Sequence, residues 1–454
     1  MTPAARDFPS ATLMSAAPAR PLSKFALAIV LLTYFLGALF RYEFIFVTNR
    51  PTDPSNIFGD IDWYVYESAH YFDPSYHSTL YDTLFPPGMA IYIATLRWLN
   101  PSLQLLVVMQ WVLACLIPFL LGAIALRLFG SRNAAYVLCF SSLYFPLWEY
   151  FGYLFSEGPF LFSMLAAFLL LIVSLQYQRL AFACLFGALG GIFLGAASAL
   201  KSVALLSAAV SFAALLFCRR RAVFRIWPTF CTACLGVVVV LTPISRHATR
   251  LNEGRFLLIA NDASRTFLLG HQGRAGLTWW VDAARDFHMN FINPSTVQHN
   301  YTAVKTYPFG VYDNAANYAA GWRWTLDHPV DALLLSFEHV FDMFAIALPY
   351  PGYFRPYFRW VGFFNEIFLT LVFLPAIYHL VRSRRRILLA EPAMLGDALL
   401  AAAASSIYIV AFFYLGEGRY RICYDGFLIL LASRAIVEPG SLNTTVHGDA
   451  AEHG

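Results

Sequence analysis

The sequence predicts an all-α polytopic membrane protein with about ten transmembrane helices, and three observations carry that reading. Hydrophobic residues fill 59% of the 454 positions and charged residues only 13%, about half the charged share of an ordinary soluble domain. Apolar runs close to the about 20 residues that a spanning helix needs recur along most of the chain. The basic residues gather in short clusters between those runs, as they do in loops that set topology.

Residues 1–23, rich in Ala, Pro and Ser, are expected to form a disordered cytoplasmic N-terminus, and the run after Lys24 ends in no small-residue cleavage site, so it reads as an uncleaved first helix. Further runs fall near 103–126, 133–148, 158–175, 181–199, 202–217, 226–244, 361–381, 394–415 and 422–437, making residues 24–437 one transmembrane domain. The clusters Arg127 with Arg132, Arg219 to Arg221 with Arg225, and Arg382 with Arg384 to Arg386 agree on one side if both termini are cytoplasmic. Two long loops, about 48–102 and 245–360, then face the opposite compartment.

Residues 331–349 are expected to lie in the interface, because a further span would invert the Arg382 to Arg386 cluster, an eleventh span being the alternative. Residues 54–100 are expected to form two short interfacial helices hinged at Phe85-Pro86-Pro87-Gly88. The polar stretch 438–454 reads as a cytoplasmic tail. Six of the seven cysteines sit in or beside apolar runs, with neither a disulfide framework nor zinc spacing. The net charge of +4 comes from the topological clusters, so membrane lipid, and no nucleic acid, is the expected partner.

The strongest local feature is Gly59-Asp60-Ile61-Asp62-Trp63-Tyr64, at the start of the first external loop. Carboxylates there suit a general base, or could hold Mg or Mn, and equally suit a solvated acidic loop that caps a helix. Lys201, Arg419 and Arg421 are basic residues beside span ends, where such side chains snorkel to the interface. Glu157 opens a span on the external side, where an acid needs a partner such as Lys201 or a wet cavity, and Glu149 in the preceding turn suits the same role. His70, His77, His271, His288 and His339 show no metal-ligand spacing, so no metal is assigned to them.

Several of these motifs, in the same order, resemble the glycosyltransferase C superfamily, and within it the protein mannosyltransferase and lipid A aminoarabinose transferase branch. The matching stretches are Gly59 to Tyr64, Phe85 to Gly88, Ser156-Glu157-Gly158-Pro159, Gly195 to Lys201, the set Pro243, Arg246, Arg255, Asn261 and Gly270, and Arg419-Tyr420-Arg421. The chain departs from the family pattern at Ile422-Cys423-Tyr424 and at Lys201-Ser202.

The resemblance implies transfer of a sugar from a polyprenyl-phosphate donor to a lipid, glycan or protein acceptor on the external face of a cell (inner) membrane, with no required cofactor. It implies Asp60 as the catalytic base with Asp62 as second choice, Lys201, Arg419 and Arg421 at the donor phosphate, and Tyr64, Glu157, Glu149 and His271 around the cavity. The rival class is a transporter or flippase of lipid-linked sugars, which would place ionisable residues at mid-membrane depth. An acyltransferase or ligase built on His247 or His271 is a third class.

Overall fold

A computed structural model describes residues 21–57, 60–73, 75, 80–218, 223–252, 254–271, 314–344, 359–389, 391, 394–414 and 418–438. Among these every regular element is a helix. The expected tails 1–20 and 439–454, His77, His288, Gly59, Arg219 to Arg221 and the loop stretches 272–313 and 345–358 lie outside the described residues.

The first helix, α1 (Lys24–Tyr42), starts where the Ser23 hydroxyl accepts from the Ala26 amide at 3.1 Å, and it continues into a π-helical turn at Glu43–Thr48. Two short helices follow, α2 (Asp60–His70) and α3 (Gly88–Leu99), on either side of the Pro86-Pro87 break as expected. Next come α4 (Gln104–Phe129), α5 (Ser131–Leu143), α6 (Glu157–Gln176), α7 (Leu180–Leu200), α8 (Val203–Cys218) and α9 (Val223–Leu251). Gly130, at φ 93°, supplies the left-handed turn that links α4 to α5. Helix α5 stops short of the expected Trp148 because Pro146 cannot continue it, and two 3₁₀ turns carry the chain to α6.

Beyond α9 the chain forms α10 (Asp262–Gly270), α11 (Asn314–Asp327) and α12 (Pro329–Asp342). The last, lying in the stretch 331–349, has 14 residues; at 1.5 Å per residue it reaches about 21 Å, short of the about 30 Å hydrocarbon layer. Then follow α13 (Arg359–Ile367), a π-helical stretch at Phe368–Phe373, α14 (Leu374–Leu388), α15 (Leu395–Phe413) and α16 (Gly418–Val437).

Seven of the described helices are long and apolar enough to cross a membrane. The shorter α5 and α8 and the charged α16 pack against them, and with them make about ten bundle helices. Contacts fix both ends: Glu157, Lys201 and Arg419 meet at one, while Gln176 donates to the Arg127 carbonyl at the other.

Helix α16 runs through the middle of the bundle. Every residue from Arg421 to Ser433 is buried, packed around Phe160, Phe168 and Leu165 of α6 and Leu121 of α4. Enclosure by apolar neighbours explains why a core helix can carry Arg419, Arg421, Asp425 and Arg434. By contrast α1 exposes Phe25, Leu31, Leu32 and Phe35, a surface that only lipid satisfies.

At the end away from Glu157, α14, α15 and α16 are tied together: His379 Nε2 lies 2.9 Å from Asp397 Oδ1, and Arg434 Nε 3.7 Å from the same oxygen. Asn133 of α5 joins them by donating to Glu438 at 2.7 Å. The central helix is thereby anchored at one end and presents Arg419 at the other.

Candidate active site

Asp60 and Asp62 occupy the first turn of α2, where the helix dipole favours carboxylates. Two residues along a helix turn the side chain about 200°, so the two acids face different ways. Asp60 faces the bundle, with its Oδ2 3.4 Å from Arg419 Nη1, while Asp62 is exposed. They do not converge on one cation, and among the described residues no group of three or more His, Cys, Asp or Glu could hold a metal ion. A divalent ion at this pair therefore does not fit, and no chemistry is routed through one.

Around Asp60 three other elements deliver one charged group each. Glu157, at the first position of α6 and only 3% exposed, accepts at Oε1 from Lys201 Nζ at 3.1 Å and lies 3.3 Å from Arg419 Nε. Lys201 follows the last residue of α7, and Arg419 stands at the start of α16. The ring of Tyr420 lies between the two cations, 4.7 Å from Lys201 Nζ and 5.3 Å from the Arg419 guanidinium, and Phe155 covers the guanidinium at 5.4 Å.

Tyr64, one turn after Asp60, is buried against the same group. Burial, reinforced by Asp60 and Glu157, holds its phenol well above the ordinary range, so it is a neutral hydrogen-bonding group.

The Pro-Pro-Gly break has a specific task. A Cβ at Gly88 would run into the Ala199 carbonyl and the Leu200 amide, so only glycine lets the start of α3 abut the end of α7, one residue before Lys201. From the other side Asn261 straps the segment before Phe85: its amide donates to the Thr83 carbonyl at 2.8 Å and its Nδ2 to Thr83 Oγ1 at 2.7 Å.

Arg421, two residues after Arg419, points elsewhere. It pairs with Asp425 at 3.3 Å, donates to the Met343 carbonyl at 3.0 Å and stacks on Phe368 at 3.6 Å. The Tyr144 hydroxyl donates to the other Asp425 oxygen at 3.2 Å. Glu149 is buried in the turn before α6, and desolvation pushes its carboxyl up to about 8. His271 is buried and stacks on Phe267, whose ring also meets Tyr318 and Tyr414; it donates Nδ1–H to the Phe267 carbonyl at 2.8 Å, and burial lowers its basicity.

Of the residues singled out from sequence, the structure thus gathers Asp60, Tyr64, Glu157, Lys201 and Arg419. Arg421, Glu149, His271 and Asp62 stand apart from that cluster. Phe155, Ser156 and Tyr420 belong to it and were not selected, although Tyr420 lies inside the Arg-Tyr-Arg motif and Phe155-Ser156 directly precede Glu157. The acidic pair Glu67 and Asp82 was also missed; burial and the neighbouring Asp82 raise Glu67 to about 8.

The all-helical, multi-pass membrane fold is of the glycosyltransferase C type. Two solved structures from Archaeoglobus fulgidus share it. The archaeal oligosaccharyltransferase AglB, in complex with an inhibitory peptide and a dolichol-phosphate, matches with a TM-score of 0.53 at 12% identity, over 91% of this chain and 51% of that one. The apo oligosaccharyltransferase matches with a TM-score of 0.54 at 14% identity, over 92% and 51%. The chain therefore spans about half the length of these neighbours. No family model matches the sequence, and no curated protein is detectably similar to it.

Proposed function

We propose that the protein is a membrane glycosyltransferase that moves a sugar from a polyprenyl-phosphate donor to a lipid, glycan or protein acceptor at the face bearing Asp60. The observation that carries this reading is the pairing, at one end of the bundle, of a partly exposed carboxylate with two cations, Lys201 and Arg419, on Glu157. Carboxylate and cations are the two halves that such a transfer needs: a proton acceptor and a site for the leaving phosphate. The dolichol-phosphate bound to the archaeal neighbour is consistent with a lipid phosphate as the donor's carrier.

The acceptor oxygen forms a bond to the anomeric carbon while the bond from that carbon to the phosphate oxygen breaks, its electron pair leaving with the phosphate. The acceptor proton passes to Asp60. A phosphodiester with one negative charge becomes a monoester with two, and the neutralised Asp60 compensates, so the charge of the site is unchanged. Lys201 and Arg419 stabilise the charge that develops on the leaving oxygen. Asp62 remains the second choice for the base, Arg421 supports the site from within α16, and Tyr64, Glu149 and His271 are assigned to the cavity and its walls. The Arg382 to Arg386 end of α14 lies at the opposite end from Asp60, which supports placing that end and both termini in the cytoplasm.

The transporter reading would draw on charges buried within the spans, Arg421 and Asp425 among them, and these two are tied to packed neighbours. The test is sugar release from polyprenyl-phosphate-linked mannose, glucose or aminoarabinose by the full chain in nanodiscs. Asp60→Asn is expected to lower turnover by about 10²–10⁴-fold without changing thermal stability; undiminished turnover removes the base.

A further inference from the structure

Arg419 serves two carboxylates at once. Its Nε is 3.3 Å from Glu157 and its Nη1 3.4 Å from Asp60. The two partners are not equivalent. Glu157 is 3% exposed and is held by Lys201 as well, whereas Asp60 is 28% exposed, sits on a short helix outside the bundle and meets the guanidinium at the longer distance. Two carboxylates and two cations cancel, so the group as it stands has no excess positive charge to offer an arriving phosphate. Asp60, the more exposed of the two carboxylates on Arg419, is the one with which an arriving phosphate oxygen competes.

We propose that Arg419 holds Asp60 in a resting ion pair, and that the donor's phosphate displaces Asp60 from Arg419 and so frees it to take the acceptor's proton. This deepens the glycosyltransferase reading and rests on it. Glu157 is the positioning residue: bound to both cations and buried, it keeps Arg419 and Lys201 in place while the guanidinium exchanges one anion for another.

The exchange has a chemical consequence. While Arg419 holds Asp60, the carboxylate is turned toward the guanidinium and not toward an acceptor, which orders the reaction: the donor is seated before the acceptor is deprotonated. No new bond is made in this step; one ion pair is replaced by another.

The proposal makes a counterintuitive demand, that removing the catalytic carboxylate tightens donor-site binding. The experiment measures the affinity of undecaprenyl phosphate for the full chain in nanodiscs by isothermal titration, comparing wild type, Asp60→Asn, Asp60→Ala, Arg419→Ala and the double variant Asp60→Ala with Arg419→Ala. Asp60→Ala matters because an Asn oxygen can still accept from Arg419, whereas Ala cannot.

The expected result is binding tighter by up to about tenfold in Asp60→Ala, the effect of removing one competing partly exposed charge, and an intermediate effect in Asp60→Asn. In the Arg419→Ala background binding is weaker and Asp60→Ala no longer tightens it. Weaker or unchanged binding in Asp60→Ala, with Arg419→Ala still impaired, overturns the resting pair and leaves the phosphate site standing. Unchanged binding in Arg419→Ala overturns both the resting pair and the phosphate site.

Discussion

Glu157 Oε1 lies 3.1 Å from Lys201 Nζ, so the first residue of one bundle helix grips the residue that ends another. Because Glu157 is buried, removing its charge takes from Lys201 and Arg419 the carboxylate they share, and breaking a pair of this kind costs about 3–5 kcal/mol. Glu157→Gln is expected to lower the melting temperature in detergent and weaken undecaprenyl phosphate binding together. A melting temperature equal to wild type would show that the carboxylate is not holding the two cations.

Gly88→Val is expected to weaken polyprenyl phosphate binding although residue 88 carries no charge. The added side chain meets the Ala199 and Leu200 backbone and must push the end of α7, with Lys201, away from Glu157. Titration of the lipid phosphate against the purified variant checks this, and unaltered affinity would separate the Pro-Pro-Gly hinge from the cation pair.

For Asp425→Asn the expectation is the reverse of that for Asp60→Asn: stability falls, while turnover per folded molecule and lipid phosphate affinity change little. Asp425 is buried, pairs with Arg421 and accepts from Tyr144, none of which touches the Asp60 group. Thermal melts together with activity normalised to folded protein separate the two outcomes; a selective loss of affinity with normal stability would bring Arg421 back to the phosphate.

Glu149 gives a pH dependence whose sign is fixed. Its carboxyl rises from 4.5 to about 8 on folding, so the folded protein binds a proton that the unfolded chain releases in that interval. The resulting stability is present below the unfolded value and is lost as pH rises through about 8. Melting temperature should fall between about pH 4.5 and about pH 8, and Glu149→Gln should flatten that fall; an unflattened curve would assign the loss to other groups, Glu67 among them.

Hydrophobic run length was enough to read the spans and the two short helices around Pro86-Pro87, because lipid imposes the same length and apolarity on every segment it surrounds. The run 422–437 was legible as a span, but its central position in the bundle was not, because that is set where protein replaces lipid. Helix α16 carries two arginines in its first turn, yet it is the core of the bundle because other helices shield its charges. The site was legible through Asp60, Glu157, Lys201 and Arg419, whose charges at span ends need an explanation. Arg419 and Arg421 were indistinguishable in sequence, since only the rotation of α16 about its axis sends one to Glu157 and the other to Asp425. The aromatic cover from Phe155 and Tyr420 was hidden among 17% aromatic residues.

The most direct measurement is a cryo-electron microscopy structure of the full chain in lipid nanodiscs with undecaprenyl phosphate. The predicted result is phosphate density within hydrogen-bond reach of Lys201 and Arg419, with Asp60 facing the same cavity and no longer against Arg419. Phosphate bound deep along α16 beside Arg421 and Asp425, with the Asp60 end empty, would contradict a surface transferase and favour passage of the lipid-linked sugar through the bundle.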